Sequence, residues 1–247
     1  MTGGKPIEIV DASADYGGPK VFEHLSLSVE AGEIFGLIGL NGVGKTTLIK
    51  ALLGLGEASG SFTFFGEDAS LPKSRRHLAY LPEKFMPSHL LSGWEFLEIT
   101  LDYYGLKLDQ DRARALALGL ALDPGALAKR GRQLSKGMGQ KLGLMATLLT
   151  GLPLLILDEP MSGLDPRSRI LLKDRLVEYR ARGGTVFFSS HILADIEEIC
   201  GRIGILHAGR LIYVGSPDAF IAKTKATSLE RAFLAAITEA ESQERGV

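Results

Sequence analysis

The hydrophobic pattern of this chain alternates between short aliphatic runs and longer amphipathic segments. The runs around Ile34, Leu154 and Val186 have the length and composition of strands that are buried on both faces. Buried strands separated by helical segments are typical of an α/β fold with a parallel core. We therefore expect these three runs to form the parallel core of the molecule.

Four further runs have strand-like composition and lie at residues 7–12, 25–29, 62–65 and 203–214. The last run contains Ala208-Gly209, which is suited to the turn of a hairpin. We expect these strands to form an antiparallel sheet beside the ligand site.

Residues 92–150 are almost entirely helical in pattern. They open with Ser92-Gly93-Trp94-Glu95, a capping box in which the serine and the glutamate bond each other's backbone N–H groups. The pattern breaks near Asp123-Pro124-Gly125. We expect a helical subdomain at about 84–150, within a domain that spans 1–225.

The remaining residues, 226–247, predict one amphipathic helix. Thr227-Ser228-Leu229-Glu230 has the spacing of a second capping box, and Leu229, Phe233 and Ile237 form one apolar stripe. The stripe packs on its own domain or binds a partner, and the pattern favours the first.

Residues 39–46, Gly-Leu-Asn-Gly-Val-Gly-Lys-Thr, have the spacing of a phosphate-binding loop between a strand and a helix. Glycines let the backbone wrap closely enough for its N–H groups to reach phosphate oxygens. Lys45 adds a positive charge for the β- and γ-phosphates, and the Thr46 hydroxyl is a hard oxygen ligand for Mg²⁺. The alternative is a glycine-rich turn that matches by chance, but the flanking strand and helix favour a nucleoside triphosphate site. Its candidate residues are Asn41, Gly42, Gly44, Lys45, Thr46 and Thr47.

Two adjacent carboxylates, Asp158 and Glu159, end the aliphatic run that begins at Leu154. Acids at the carboxyl end of a parallel strand project into the crevice where ligands bind. Asp158 is suited to hold Mg²⁺ through water, and Glu159 to polarise an attacking water. The alternative is that these acids cap the next helix, and the phosphate loop upstream makes that alternative the weaker one.

A second anion site is indicated at 133–141, where Ser135 and Gly137 open a predicted helix. A helix start offers free N–H groups and the positive end of the helix dipole to an anion. Taken alone, Leu-Ser-x-Gly is an ordinary N-cap. Beside the other two motifs, it predicts a second phosphate contact.

With these motifs in this order, the chain resembles the nucleotide-binding subunits of ATP-binding cassette (ABC) transporters over about residues 7–215. The phosphate loop matches the Walker A motif, 134–138 the family signature, and 154–159 the Walker B strand with its catalytic glutamate. Residues 162–165, Ser-Gly-Leu-Asp, match the D-loop. The resemblance implies the α/β ABC ATPase fold, in which a P-loop NTPase core carries an antiparallel β subdomain and an inserted helical subdomain.

The resemblance also assigns three residues whose surroundings in the sequence are less specific. It implies that His191 is catalytic together with Glu159, that Tyr16 stacks on adenine, and that Asp165 contacts the nucleotide. The local alternatives stay open. A histidine after two serines commonly starts a helix, an aromatic residue after a strand commonly packs in the core, and an aspartate before proline commonly caps a helix.

Three positions depart from the family pattern. Glu83 stands where a glutamine usually contacts Mg²⁺, and we expect Glu83 to join Thr46 and Asp158 as a metal ligand. Lys136 and Met138 replace a glycine and a glutamine of the signature. These departures resemble the bacterial export-type branch, whose membrane subunit is encoded separately.

The mechanism that the resemblance implies is ATP hydrolysis at a shared interface. Ser135 and Gly137 of a second copy close over the γ-phosphate that Lys45 holds, and two ATP molecules join a head-to-tail homodimer or pseudo-symmetric dimer. Closure and opening drive a separately encoded transmembrane permease subunit, with this chain peripheral on the cytoplasmic face of the inner (plasma) membrane. The alternative is a soluble ABC ATPase that acts on nucleic acid or ribosomes. Such proteins generally carry paired cassettes or long inserted coiled coils, and this sequence shows neither pattern.

A cluster of large apolar residues between Glu83 and the capping box is the candidate surface for the membrane subunit. Burial within the helical subdomain is the alternative. The cluster consists of Phe85, Met86, Leu90, Leu91 and Trp94.

Composition agrees with a compact cytoplasmic subunit. The 247 residues are 45% hydrophobic, and the formal net charge of −1 gives no electrostatic reason to expect a nucleic-acid partner. No apolar run has the length of a bilayer span, and the first residues do not resemble a signal peptide. The single cysteine, Cys200, excludes an intramolecular disulfide and fits a reducing compartment.

Overall fold

The computed structural model describes residues 4–15 and 20–245. They form two compact units, the first built from the described residues up to Arg75 and from Phe187 onward, the second from Arg76 to Val186. The strands are β1 (Ile7–Ala14), β2 (Phe22–Val29), β3 (Ile34–Ile38), β4 (Ser59–Phe64), β5 (Glu67–Asp68), β6 (Leu78–Leu81), β7 (Leu154–Asp158), β8 (Thr185–Ser190), β9 (Arg202–His207) and β10 (Arg210–Gly215). The α-helices are α1 (Lys45–Leu52), α2 (Gly93–Tyr103), α3 (Gln110–Gly119), α4 (Lys136–Thr150), α5 (Pro166–Ala181), α6 (Leu193–Ile199), α7 (Pro217–Thr224) and α8 (Leu229–Arg245).

The first unit contains an antiparallel sheet with the strand order β2-β1-β4-β5. Ile9 of β1 lies opposite Leu27 of β2 on one side and Phe62 of β4 on the other. The side chains of Ile7 and Ile9 are buried and Glu8 between them is exposed, as the period of two in a strand requires. The strands predicted near the N-terminus and at 62–65 are confirmed.

The hairpin at 203–214 forms, but its predicted place in the antiparallel sheet is wrong. β9 and β10 pair antiparallel, whereas β9 pairs in parallel with β3, with Phe35 opposite Arg202 and Ile38 opposite Ile205. The interior residues of β9 are buried without alternation, which is the burial of a core strand. A core strand and a sheet-edge strand are both short apolar runs, so the sequence pattern did not separate them.

The second unit contains a parallel pair, β6 and β7, with Leu78 opposite Leu154 and Leu81 opposite Leu157. Every residue of β7 is buried, as expected for a core strand. The segment between β6 and β7 is helical, and α2 begins at the predicted capping box. The Ser92 N–H donates to Oε2 of Glu95 at 2.7 Å, and the Glu95 N–H donates to Oγ of Ser92 at 3.2 Å.

The C-terminal helix α8 lies against α6 and α7 of the first unit. Leu229, Phe233 and Ile237 are buried, which confirms that the stripe packs on its own chain. The cap lies one residue later than predicted, because Oγ of Ser228 accepts the Arg231 N–H at 3.3 Å. Among the described residues, no helix is both long and apolar enough to cross a membrane.

Candidate active site

The phosphate loop at 39–46 connects the end of β3 to the start of α1. Gly44 is the N-cap of α1 at a φ of 110°, and no side chain caps this helix. A β-carbon at Gly44 would lie 2.8 Å from Cγ1 of Val21, so backbone conformation and available space both require glycine. The first turn of α1 contains no acidic residue. Its backbone N–H groups are therefore suited to an anion.

Lys45 is buried and folds back over the loop that precedes it. Its Nζ donates to the carbonyl oxygens of Gly39 at 2.8 Å and Leu40 at 3.3 Å. These bonds hold a positive charge beside the uncapped helix start. Charge and helix dipole together favour binding of a phosphate group.

The other predicted residues of the loop lie before and after Lys45 in the sequence. Asn41 and Gly42 are exposed, and Thr46 and Thr47 are half-buried in the first turn of α1. Gly42 has a φ of 80°, and nothing lies within 4 Å of the place where its β-carbon would be. The loop thus leaves open space at Gly42 that a ligand can enter.

His191 follows β8 directly and is exposed. The chain turns there, because the Ile192 N–H donates to Oγ of Ser190 at 3.0 Å. The predicted position of His191 at a strand end is therefore correct. Tyr16, predicted to stack on adenine, lies outside the described residues.

The two acids of the second unit sit at the carboxyl end of β7. Asp158 is fully buried and Glu159 is 7% exposed. Glu159 has a φ of 49°, in the left-handed region that residues with a side chain seldom occupy. Backbone strain of this kind concentrates at functional sites. The acids do not cap the next helix, because the N-cap of α5 is Asp165.

Glu83 and Asp158 lie just after paired residues of two neighbouring strands, because Leu81 of β6 lies opposite Leu157 of β7. Burial raises the pKa of Tyr80 to about 12, and the negative charges of Asp158 and Glu83 act in the same direction. Glu83 itself is exposed in the segment after β6.

The signature residues lie at the start of α4. Ser135 is the N-cap, and its Oγ accepts the Met138 N–H at 3.3 Å. A β-carbon at Gly137 would lie 3.2 Å from the carbonyl oxygen of Gly163, so the signature adjoins the D-loop of the same chain. The N-cap role of Ser135, the local alternative from the sequence, is present in the structure.

Asp165 also has its local alternative role. Its Oδ1 accepts the Ser168 N–H at 2.9 Å, and its Oδ2 accepts the Ser168 hydroxyl at 2.6 Å. These bonds lower the pKa of Asp165 to about 2, and the bond from the Ser168 hydroxyl has the largest effect. The carboxylate is therefore ionised at neutral pH.

Sequence reasoning missed two buried polar residues on α4, Gln140 and Lys141. The amide of Gln140 donates from Nε2 to the carbonyl oxygen of Pro160 at 3.3 Å, one residue after Glu159. The available signal was their position, because both immediately precede an apolar stretch of the helix. Helical periodicity alone does not distinguish such residues from a solvated face.

Comparison with known proteins agrees with the geometry. Residues 22–162 match the family described as ABC transporter. An uncharacterized ABC transporter ATP-binding protein of Synechocystis sp. is 42% identical over 197 residues, which are 78% of this chain and 55% of that relative. The chain therefore spans little more than half the length of this relative.

Two further proteins match over most of both chains. Nod factor export ATP-binding protein I of Burkholderia orbicola is 36% identical over 225 residues, which are 87% of this chain and 72% of the relative. A solved structure described as the ATP binding subunit of an ABC transporter has a TM-score of 0.86 and 34% identity, and the match covers 93% of this chain and 98% of that one. The predicted ABC ATPase fold is confirmed. The chain belongs to the ABC transporter family and is similar over most of its length to proteins described as ATP-binding subunits of that family.

Proposed function

We propose that the chain hydrolyses ATP to drive a membrane partner, with Glu159 as the residue that orients and polarises the attacking water. The observation that carries the proposal concerns Glu159, which follows Asp158 at the end of a core strand. Its side chain is buried, and its backbone lies in the strained left-handed region. Lys45 and the start of α1, with Asn41, Gly42, Gly44 and Thr47, bind the phosphates.

His191 hydrogen-bonds the γ-phosphate in this proposal, and Tyr16 stacks on adenine. An exposed imidazole at a strand end is able to donate or accept such a bond, which supports the role of His191.

Mg²⁺ is proposed to bind Thr46, Asp158 and Glu83. The donor chemistry fits, because all three side chains offer oxygen, and the two carboxylates follow shortly after Leu81 and Leu157, which pair across β6 and β7. When bound, the ion neutralises phosphate charge. Asp158 is fully buried, whereas Glu83 is exposed.

Two copies of the chain are proposed to pair head to tail on ATP. Ser135 and Gly137 of one copy then contact the nucleotide held by the other, and Asp165 lies at the same interface. The helix start at Ser135 and the exposure of the Asp165 side chain, both in the second unit, support this assignment.

The partner is proposed to be a separately encoded transmembrane permease, with this chain peripheral on the cytoplasmic face of the plasma membrane. Met86 is 73% and Leu90 75% exposed, which supports docking at the apolar cluster predicted after Glu83. The relative described as a Nod factor export ATP-binding protein supports transport in the export direction.

The proposed domain division is a domain at 1–225, with a helical subdomain at about 84–150, and a tail at 226–247. The helices α2–α4, which lie between β6 and β7 in the chain, support the helical subdomain.

The test is Glu159→Gln, which keeps the side-chain size and removes the basic oxygen. We expect ATP binding to persist, phosphate release to fall by about 10²-fold or more, and an ATP-dependent dimer to accumulate on size exclusion. Glu98→Gln, an exposed residue of α2, is the matched control. A Glu159→Gln protein that turns over normally would reject the assignment.

A further inference from the structure

The segment after Glu159 lies along the first turns of α4. Gly137 adjoins Gly163, and the amide of Gln140 bonds the carbonyl oxygen of Pro160 at 3.3 Å. Gln140 is itself buried, so water does not replace this bond easily. The signature helix and the loop that leads from Glu159 to Asp165 are therefore held together inside one chain.

Lys141 adds a charged contact between α4 and the end of this loop. Its ammonium lies 3.7 Å from Oδ2 of Asp165 and donates to the carbonyl oxygen of Ala121 at 2.9 Å. Ala121 follows the C-terminal end of α3, where helix carbonyls favour a cation. Three elements, α3, α4 and the start of α5, thus meet at one ammonium group.

The burial of Lys141 indicates that this contact has a specific role. The residue is 8% exposed, and removing an ammonium group from water is unfavourable unless acceptors compensate. An apolar side chain would fill the same place without that cost. The side chain of Asp165, in contrast, is 59% exposed. Lys141 therefore contacts Asp165 and still leaves most of that side chain accessible.

We propose that Lys141 is a positioning residue that sets Asp165 relative to the signature helix and so couples the two ATP sites of the dimer. The inference rests on the proposed function, in which Glu159 serves the chain's own nucleotide and Ser135 serves that of the second copy. In this proposal, a change at the nucleotide bound by Glu159 moves the loop from Glu159 to Asp165. Lys141 and Gln140 transmit that movement to α4, which contacts the nucleotide of the second copy.

The variants Lys141→Met and Lys141→Arg test the proposal, because the first removes the charge at similar length and the second retains it. We expect Lys141→Met to lower kcat by about tenfold and the Hill coefficient for ATP towards 1. Affinity for a fluorescent ATP analogue, measured without Mg²⁺, should change by less than about twofold. Lys141→Arg should restore both kcat and cooperativity.

Lys173→Met is the matched control, since Lys173 is also buried and lies about two turns further along α5 from Asp165. It should retain the wild-type Hill coefficient. Asp165→Asn changes an exposed carboxylate and covers the case in which Lys141→Met does not fold. It should lose cooperativity in the same way, and little more should be lost when Lys141→Met is added.

The outcomes separate the two proposals. If the wild-type protein hydrolyses ATP and both Lys141→Met and Asp165→Asn keep its Hill coefficient, the positioning role is overturned and the proposed function stands. Equal impairment of Lys141→Arg and Lys141→Met would also overturn it. Wild-type protein that binds ATP without hydrolysing it would overturn the proposed function, and this inference with it.

Discussion

Gly143 of α4 lies directly against Phe85 in the segment that follows Glu83. A β-carbon at Gly143 would lie 2.7 Å from Cδ1 of Phe85 and 2.7 Å from Cδ1 of Leu81. Phe85 also packs on Phe96 of α2, with ring centroids 5.5 Å apart. The helix that carries the signature is therefore in contact with the segment that carries the proposed metal ligand and docking surface.

This packing predicts the effect of Gly143→Ala. The added methyl group overlaps Phe85 and Leu81, and overpacking of this kind costs about 1–3 kcal/mol of unfolding free energy. Urea unfolding measures the loss. Gly201→Ala is the control, because nothing lies within 4 Å of a β-carbon there and the φ of Gly201 is not positive. Equal stability of the two variants would contradict the packing argument.

Gly44→Ala should weaken ATP binding by about tenfold or more. The substitution forces a side chain into a φ of 110° and against Val21, and strain of about 1–3 kcal/mol at the helix start displaces the N–H groups that face phosphate. Isothermal titration with ATP gives the affinity. Gly32→Ala shares the positive φ, at 73°, but has open space around its β-carbon. That control should lose some stability and retain ATP affinity.

A mixture of Lys45→Ala and Ser135→Arg proteins should recover activity that neither parent has. In a head-to-tail heterodimer, one interface carries both lesions and the other carries none, because the two residues act on the same nucleotide from different chains. Phosphate release by the mixture is the measurement. A proven heterodimer that is no more active than its parents would exclude shared sites.

Glu83→Gln should raise the Mg²⁺ concentration required for half-maximal ATPase activity. A carboxylate is a stronger ligand for a hard cation than an amide, and one charge at roughly 4 Å is worth about 4 kcal/mol at an effective dielectric near 20, before compensation. ATP affinity at saturating Mg²⁺ should change little. Superimposable Mg²⁺ titrations of the two proteins would remove Glu83 from the metal site.

Features that depend on neighbouring residues were predictable from the sequence. The strand, loop and helix around Lys45 follow from an aliphatic run, a glycine spacing and a helix former within one short segment. The capping box of Ser92 and Glu95 follows from groups three residues apart, which a helical turn brings together. The buried stripe of α8 follows from helical periodicity, which indicates the apolar face before its partner is known.

The sequence by itself therefore determined the elements, the family motifs and the order of the candidate site residues. Only the tertiary structure decided that β9 pairs with β3, that Glu159 takes a left-handed backbone, and that Lys141 reaches Asp165. The strand pairing and the Lys141–Asp165 contact each join residues far apart in the chain. Local pattern determines which face of an element is apolar, whereas the partner of that face is chosen by the packing of the whole unit.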